Sequence, residues 1–134
     1  MEDHLARHEL ADLFLDTLPI NAHTTASDAL WAGLPVVTCP GTSFASRVAG
    51  SLLTAIGLPE LIASSLEEYE ALALRFAHDP ILLANVKQKL RQHRDTHSLF
   101  NTARFARHIE AAYSKMMERS LSGETAASFS VVGN

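Results

Sequence analysis

The chain has 134 residues, 47% of them hydrophobic and 19% charged, with a formal net charge of −4 and a single cysteine, Cys39. That balance fits one small globular domain and leaves no basic footprint for nucleic acid. The longest apolar runs are too short to span a bilayer, and one cysteine excludes an internal disulfide framework and speaks against cysteine-ligated zinc. The opening "MEDHLARHEL" is charged and has no apolar signal-peptide core. A reducing, cytoplasmic setting is the expectation. Met1 leads at once into a helical-looking segment, so a piece of something larger is also expected.

In chain order, "HLARHELADLFLDT" begins as a short amphipathic helix with Leu5 and Leu10 on one side. It passes into "LFLD", Leu13 to Asp16, whose low polarity before a turn predicts a buried parallel strand. "TLPINAH" is a loop, since Pro19 blocks helix continuation. A helix is predicted from Thr25 to Ala32, with Leu30 and Trp31 inward, Gly33 as its C-cap and Pro35 as a stop. Pro35 to Cys39 reads as a second short β-branched strand. "PGTS" turns into a helix carrying Phe44, Val48, Leu52 and Ile56 on one stripe, closed by Gly57.

Leu61 to Ala63 is a candidate third strand. Ser65 and Glu68 form a capping box that opens a helix with Leu66, Tyr69, Ala73 and Phe76 in period. Asp79 and Pro80 supply N-cap and first-turn residues for a helix to about Arg91, with Leu83, Val86 and Leu90 on its apolar face. "THSLFNT" is a loop, and Phe105 to Met117 a last helix with Phe105, Ile109, Ala112 and Met116 inward. Residues 1–119 are expected to form the folded part and residues 120–134 a disordered tail. Short apolar strands alternating with helices predict an α/β fold, a Rossmann-like parallel sheet with right-handed crossovers.

Ligands of such sheets bind beyond the carboxyl ends of strands, often at the next helix start. "NAHTTASD", Asn21 to Asp28, lies at that place. Free N–H groups and the positive dipole end there attract phosphate, and His23, Thr24 and Thr25 can add donors. Asp28, one turn on, suits the two vicinal hydroxyls of a ribose. Phosphate beside diol describes a nucleotide. The same residues also read as plain capping, with Thr25 and Asp28 as a capping-box variant.

"HTTASDALWAGLPVVTCPG", continuing through "SFASRVAGSLL", closely resembles the O-linked N-acetylglucosamine transferase family, with its Spindly-type fucosyltransferase relatives, in a bacterial-like form. "EEYEALA" and "LFNTARF" fit the family's C-terminal pattern, and the match runs from about Asp3 to Met117. The resemblance implies a two-lobed GT-B glycosyltransferase of which this chain is the end of the C-terminal lobe, followed by C-terminal helices. It implies that His23, Thr24 and Thr25 hold the donor's phosphates, that Asp28 holds the ribose, and that His4 and Arg7 frame the base. The implied donor is UDP-N-acetylglucosamine and the implied acceptor a protein Ser or Thr hydroxyl. No metal or other cofactor is expected, and no membrane or nucleic-acid partner. An N-terminal lobe and a helical-repeat arm are the expected remainder of a full-length protein. Gly41, Thr42 and Ser43 stand where the family often has Gly-Glu-Thr, so no role passes to Thr42; Met1 stands about where a ribose-contacting lysine would lie.

The residues identify no general base, and a cleft built by two lobes does little chemistry with one. A glycosyltransferase segment inactive in isolation is therefore the leading expectation. The alternatives are a non-catalytic nucleotide-binding or protein-docking module, a GDP-fucose-dependent transferase, and a truncated product with no role of its own. Elsewhere, Trp31 reads as core, Arg47 as a partner for a carboxylate or carbonyl, Cys39 as inert, and His93, His97 and His108 as surface residues. Glu67, Glu68 and Glu70 read as a solvated capping face.

Overall fold

The computed structural model describes the backbone of residues 2–131 and the side chains of residues 3–131. Met1, expected near the position of a lysine, and the last three residues of the expected tail lie outside them. Two compact units divide the chain, Met1–Leu99 and Phe100–Asn134.

The first unit opens with α1 (Glu2–Arg7) and a 3₁₀ turn at His8–Leu10. The strand β1 covers Phe14–Leu15, α2 covers Thr24–Ala32, and β2 covers Val36–Val37. The two strands pair in parallel, Phe14 opposite Val36 and Leu15 opposite Val37. The ladder extends through Asp16 N–H to the Val37 carbonyl at 3.0 Å. The third expected strand is reduced to a single parallel bridge, Thr38 opposite Ile62. Its two bonds are Thr38 N–H to the Leu61 carbonyl and Ala63 N–H to the Thr38 carbonyl. This is the parallel α/β layer that the alternation of elements predicts, with strands shorter than expected.

The core lies between this layer and the helices. Ala29 and Leu30 of α2, Val36 and Val37 of β2, and Leu53 and Ile56 from α3 (Val48–Ala55) and its C-cap are fully buried. The fourth helix, α4 (Leu66–His78), contributes Phe76, and α5 (Pro80–Thr96) contributes Val86 and Leu90. Local signals explain the helix ends. The Ser65 hydroxyl accepts from Glu68 N–H at 3.2 Å, and the Asp79 carboxylate accepts from Leu82 N–H at 2.9 Å. Gly33 closes α2 at φ +88°, a left-handed conformation that glycine adopts without a Cβ clash.

Several expectations about burial fail. Leu15 is 54% exposed, where a buried strand was expected. Trp31 is 46% exposed and lies beneath the Arg94 guanidinium, 5.4 Å from its ring centre. The α3 stripe holds only in part. A 3₁₀ turn at Phe44–Ser46 precedes the helix, and Phe44 is exposed there. Val48 and Leu52 are half-buried, while Ile56 is fully buried together with Ala49, Gly50 and Leu53. Leu66 and Leu10 are also exposed. The fifth helix runs past Arg91 to Thr96, because polar helix formers continue the ladder after the apolar period ends.

His93 and His97 are not free surface residues. Their rings stack at 3.8 Å, and His93 Nδ1 donates to the Ile56 carbonyl at 2.8 Å, tying α5 to the end of α3. Burial, then the His93 and Lys89 charges, hold His97 below its ordinary value of 6.5. The unfolded chain therefore binds this proton more readily than the fold does. The contribution to stability is intact above pH 6.5 and is lost as the pH falls through that value and below. Thermal melts between about pH 7.5 and 5.5 should show a steeper acid loss for the wild type than for His97→Gln. Parallel curves would exclude His97 as the group responsible.

The second unit holds α6 (Thr102–Leu121), capped by the Asn101 side chain on Arg104 N–H at 2.9 Å. It is longer at both ends than the expected Phe105–Met117 and reaches two residues into the expected tail. Phe105 and Met116 are exposed, contrary to their expected inward positions. The chain from Glu124 to Val131 has no regular secondary structure, although Arg119 reaches the Thr125 carbonyl at 3.0 Å.

Candidate functional site

The open side of the parallel layer that matters is beyond the end of β1. Residues 16–23 leave the strand and deliver the chain to α2. The peptide between Leu18 and Pro19 in this loop is cis. Asp16, 4% exposed, sits beneath the loop. One carboxylate oxygen accepts from Thr17 N–H at 2.8 Å and Ala22 N–H at 2.6 Å. The other accepts from the Thr38 hydroxyl at 2.5 Å, at the end of β2. The Tyr69 hydroxyl of α4 donates to the Asp16 carbonyl at 2.9 Å. Burial, with Asp16 and Cys39 nearby, raises the Tyr69 phenol above its ordinary value, so it remains a donor.

His23 is the N-cap of α2, but no side chain caps the helix. The first helical bond runs from Ser27 N–H to the His23 carbonyl at 3.1 Å. The N–H groups of Thr24, Thr25 and Ala26 therefore precede the ladder, at the positive end of the helix. Thr24 and Thr25 are exposed. The capping-box variant between Thr25 and Asp28 does not form: among the described residues no side-chain cap bonds the α2 start, and Asp28 meets His4 instead. The His23 imidazole packs edge-on against Phe44 at 6.2 Å, and its Nε2 lies 3.3 Å from the Ala45 carbonyl.

Asp28 is engaged elsewhere. Its Oδ2 lies 3.2 Å from His4 Nε2, across 24 residues of sequence, where α1 packs on α2. His4 meets His8 edge-on at 5.1 Å. Arg7 is on the same short helix, exposed, and makes no ion pair or hydrogen bond among the described residues. The structure thus joins His4 to Asp28 and places Thr24 and Thr25 at the head of the same α2 helix. It joins His23 to the Phe44–Ser46 turn and gives Arg7 no partner among the described residues.

Asp16, Thr38 and Tyr69 were missed by sequence reasoning. The available signal was an acid and a hydroxyl each closing an apolar strand. Arg47 is exposed with no side-chain partner among the described residues, contrary to its expected role. Cys39 is a free, buried cysteine. Glu68 is held below the usual carboxylate range by the Ser64 hydroxyl and backbone, and Glu67 by its backbone and Ser65. That suits a charged capping face and not a proton donor. No three His, Cys, Asp or Glu side chains cluster as metal ligands among the described residues. None of their helices is long and apolar enough to cross a membrane. A groove of about 550 Å³ between Asp12–Leu13 and the α4–α5 pair shares no residue with the α2 site.

A parallel α/β layer with an open helix start beyond its strand ends is the ligand-binding arrangement of α/β domains. Residues 1–109 match Glycosyl transferase family 41, and the chain belongs to that family. It is 43% identical over 133 residues to an Arabidopsis thaliana protein named as a probable UDP-N-acetylglucosamine–peptide N-acetylglucosaminyltransferase, covering 98% of this chain and 14% of the relative. A Caenorhabditis elegans protein of the corresponding name is 43% identical over 122 residues, covering 91% of this chain and 11% of the relative. The fold is similar to a solved mutant O-GlcNAc transferase from Thermobaculum terrenum, with a TM-score of 0.81 and 39% identity over 87% of this chain and 22% of that one. The chain spans about a seventh or less of the length of these curated relatives.

Proposed function

We propose that this chain is the donor-binding segment of a cytoplasmic GT-B glycosyltransferase that transfers N-acetylglucosamine from UDP-N-acetylglucosamine to protein Ser or Thr hydroxyls. The contact of His4 with Asp28, beside an uncapped α2 start, carries the reading: it gathers the base, ribose and phosphate candidates onto two packed helices. His23, Thr24 and Thr25, with the first N–H groups of α2, take the diphosphate. Asp28 accepts from the ribose hydroxyls, and His4 and Arg7 flank the base. In the transfer, the bond from the sugar's anomeric carbon to the phosphate oxygen breaks as the acceptor oxygen bonds that carbon. The leaving diphosphate gains charge at the positive end of α2, where N–H donors and the dipole stabilise it.

The acceptor hydroxyl's proton goes to a group supplied by the rest of the enzyme, an N-terminal lobe preceded by a helical-repeat arm. The reading calls for no metal or other cofactor. Calorimetric titration of the purified chain with UDP and with GDP tests it. Saturable UDP binding with weaker GDP binding is expected, and transfer to an acceptor peptide by the chain alone is not. Preference for GDP would point to a GDP-fucose donor. Binding of neither nucleotide would overturn the assignment of a working donor site to this chain.

A further inference from the structure

We propose that Asp16 is a positioning residue for the diphosphate end of the donor site, acting through the loop that delivers His23. The inference rests on the reading that the α2 start takes the diphosphate. A buried carboxylate is costly unless its lone pairs are filled, and a well-packed apolar side chain often serves stability as well. Here the carboxylate is filled by three donors whose placement is informative. Thr17 N–H and Ala22 N–H are the two ends of the loop, drawn onto one oxygen. The Thr38 hydroxyl fastens the other oxygen to the end of β2. The loop is thus closed on itself and tied to the sheet at one point.

Ala22 directly precedes the N-cap His23, so the position of its N–H sets where the α2 start and its free donors stand. A second tie acts on the same point. The Ala45 carbonyl accepts from Asn21 N–H at 2.9 Å and lies 3.3 Å from His23 Nε2. The Tyr69 hydroxyl holds the Asp16 backbone from α4. Donors aimed at an anion act well only when held in place before it arrives.

The test is UDP titration of the wild-type chain, Asp16→Ala, Asp16→Asn and Thr38→Val, reading Kd and binding stoichiometry together with a thermal melt. Asp16→Ala should raise Kd by about 10-fold or more at unchanged stoichiometry, because folded molecules carry a misplaced α2 start. Asp16→Asn keeps an oxygen for Thr17 and Ala22 N–H and should stay within about threefold of wild type. Thr38→Val removes one hydroxyl at nearly constant shape, and should raise Kd by about fivefold even if Asp16→Ala fails to fold. A purely structural Asp16 would lower stoichiometry and leave Kd unchanged, which overturns the inference. Failure of the wild type to bind UDP instead removes the reading beneath it, and the inference falls with it.

Discussion

Asp28→Ala should weaken UDP binding by about 10- to 100-fold, or ~1.4–2.8 kcal/mol, while leaving the chain folded. A charged acceptor bonded to two hydroxyls contributes on that scale, because its loss leaves the ribose to water or to nothing. The fold loses much less. Among the described residues the Asp28 side chain bonds only His4, and the two side chains are 27% and 45% exposed. Such a pair contributes less than about 1 kcal/mol once solvent screening is counted. Alanine in the helix interior offsets part of that, since it is the better helix former. Titration and a thermal melt on one sample separate the two effects. Unchanged affinity removes Asp28 from the ribose. A collapsed melt with intact affinity makes the His4–Asp28 contact a structural tie between α1 and α2.

The largest expected loss of stability from a small change is at Gly57. Its φ is +74°, and a Cβ there would stand 2.5 Å from His97 Nε2 and 2.9 Å from His93 Nδ1. Gly57→Ala therefore combines a left-handed penalty with overpacking against the stacked imidazoles, about 2–4 kcal/mol together. Gly33→Ala is the control. Its φ is +88°, but nothing lies within 4 Å of the added carbon, so only the backbone penalty applies. Urea midpoints should place Gly57→Ala below Gly33→Ala by about 1 kcal/mol or more. Equal losses would mean that the His93–His97 pair gives way freely, and that it ties α5 to α3 only weakly.

Much of the site was legible because its signals are local. A helix beginning after "INAH", ending at Gly33 and followed by a β-branched run, follows from residues within four or five positions of one another. That placed His23, Thr24, Thr25 and Asp28 at one helix start, and the structure has them there. The family resemblance added His4 and Arg7, and the match to Glycosyl transferase family 41 agrees with it. The pairing of His4 with Asp28 could not be read from periodicity, because 24 residues separate them and nothing local selects the partner.

The sequence by itself determined the order of the main helices and the two paired strands, several of their caps, and the family. The Ser65 cap, the Asp79–Pro80 start and the Gly33 stop are short-range steric and hydrogen-bonding facts, the same in any surroundings. Tertiary structure decided which faces are covered. Trp31 and Phe44 are apolar by chemistry and exposed by position, because α2 and the Phe44–Ser46 turn direct other residues, Leu30 and Ser46 among them, inward. It also decided what Asp16 does, since its partners come from its own loop, from Thr38 and from Tyr69. Burial and long-range hydrogen bonds depend on which segments the chain brings together. A cap needs only its own turn, whereas a buried carboxylate needs donors that the fold alone delivers.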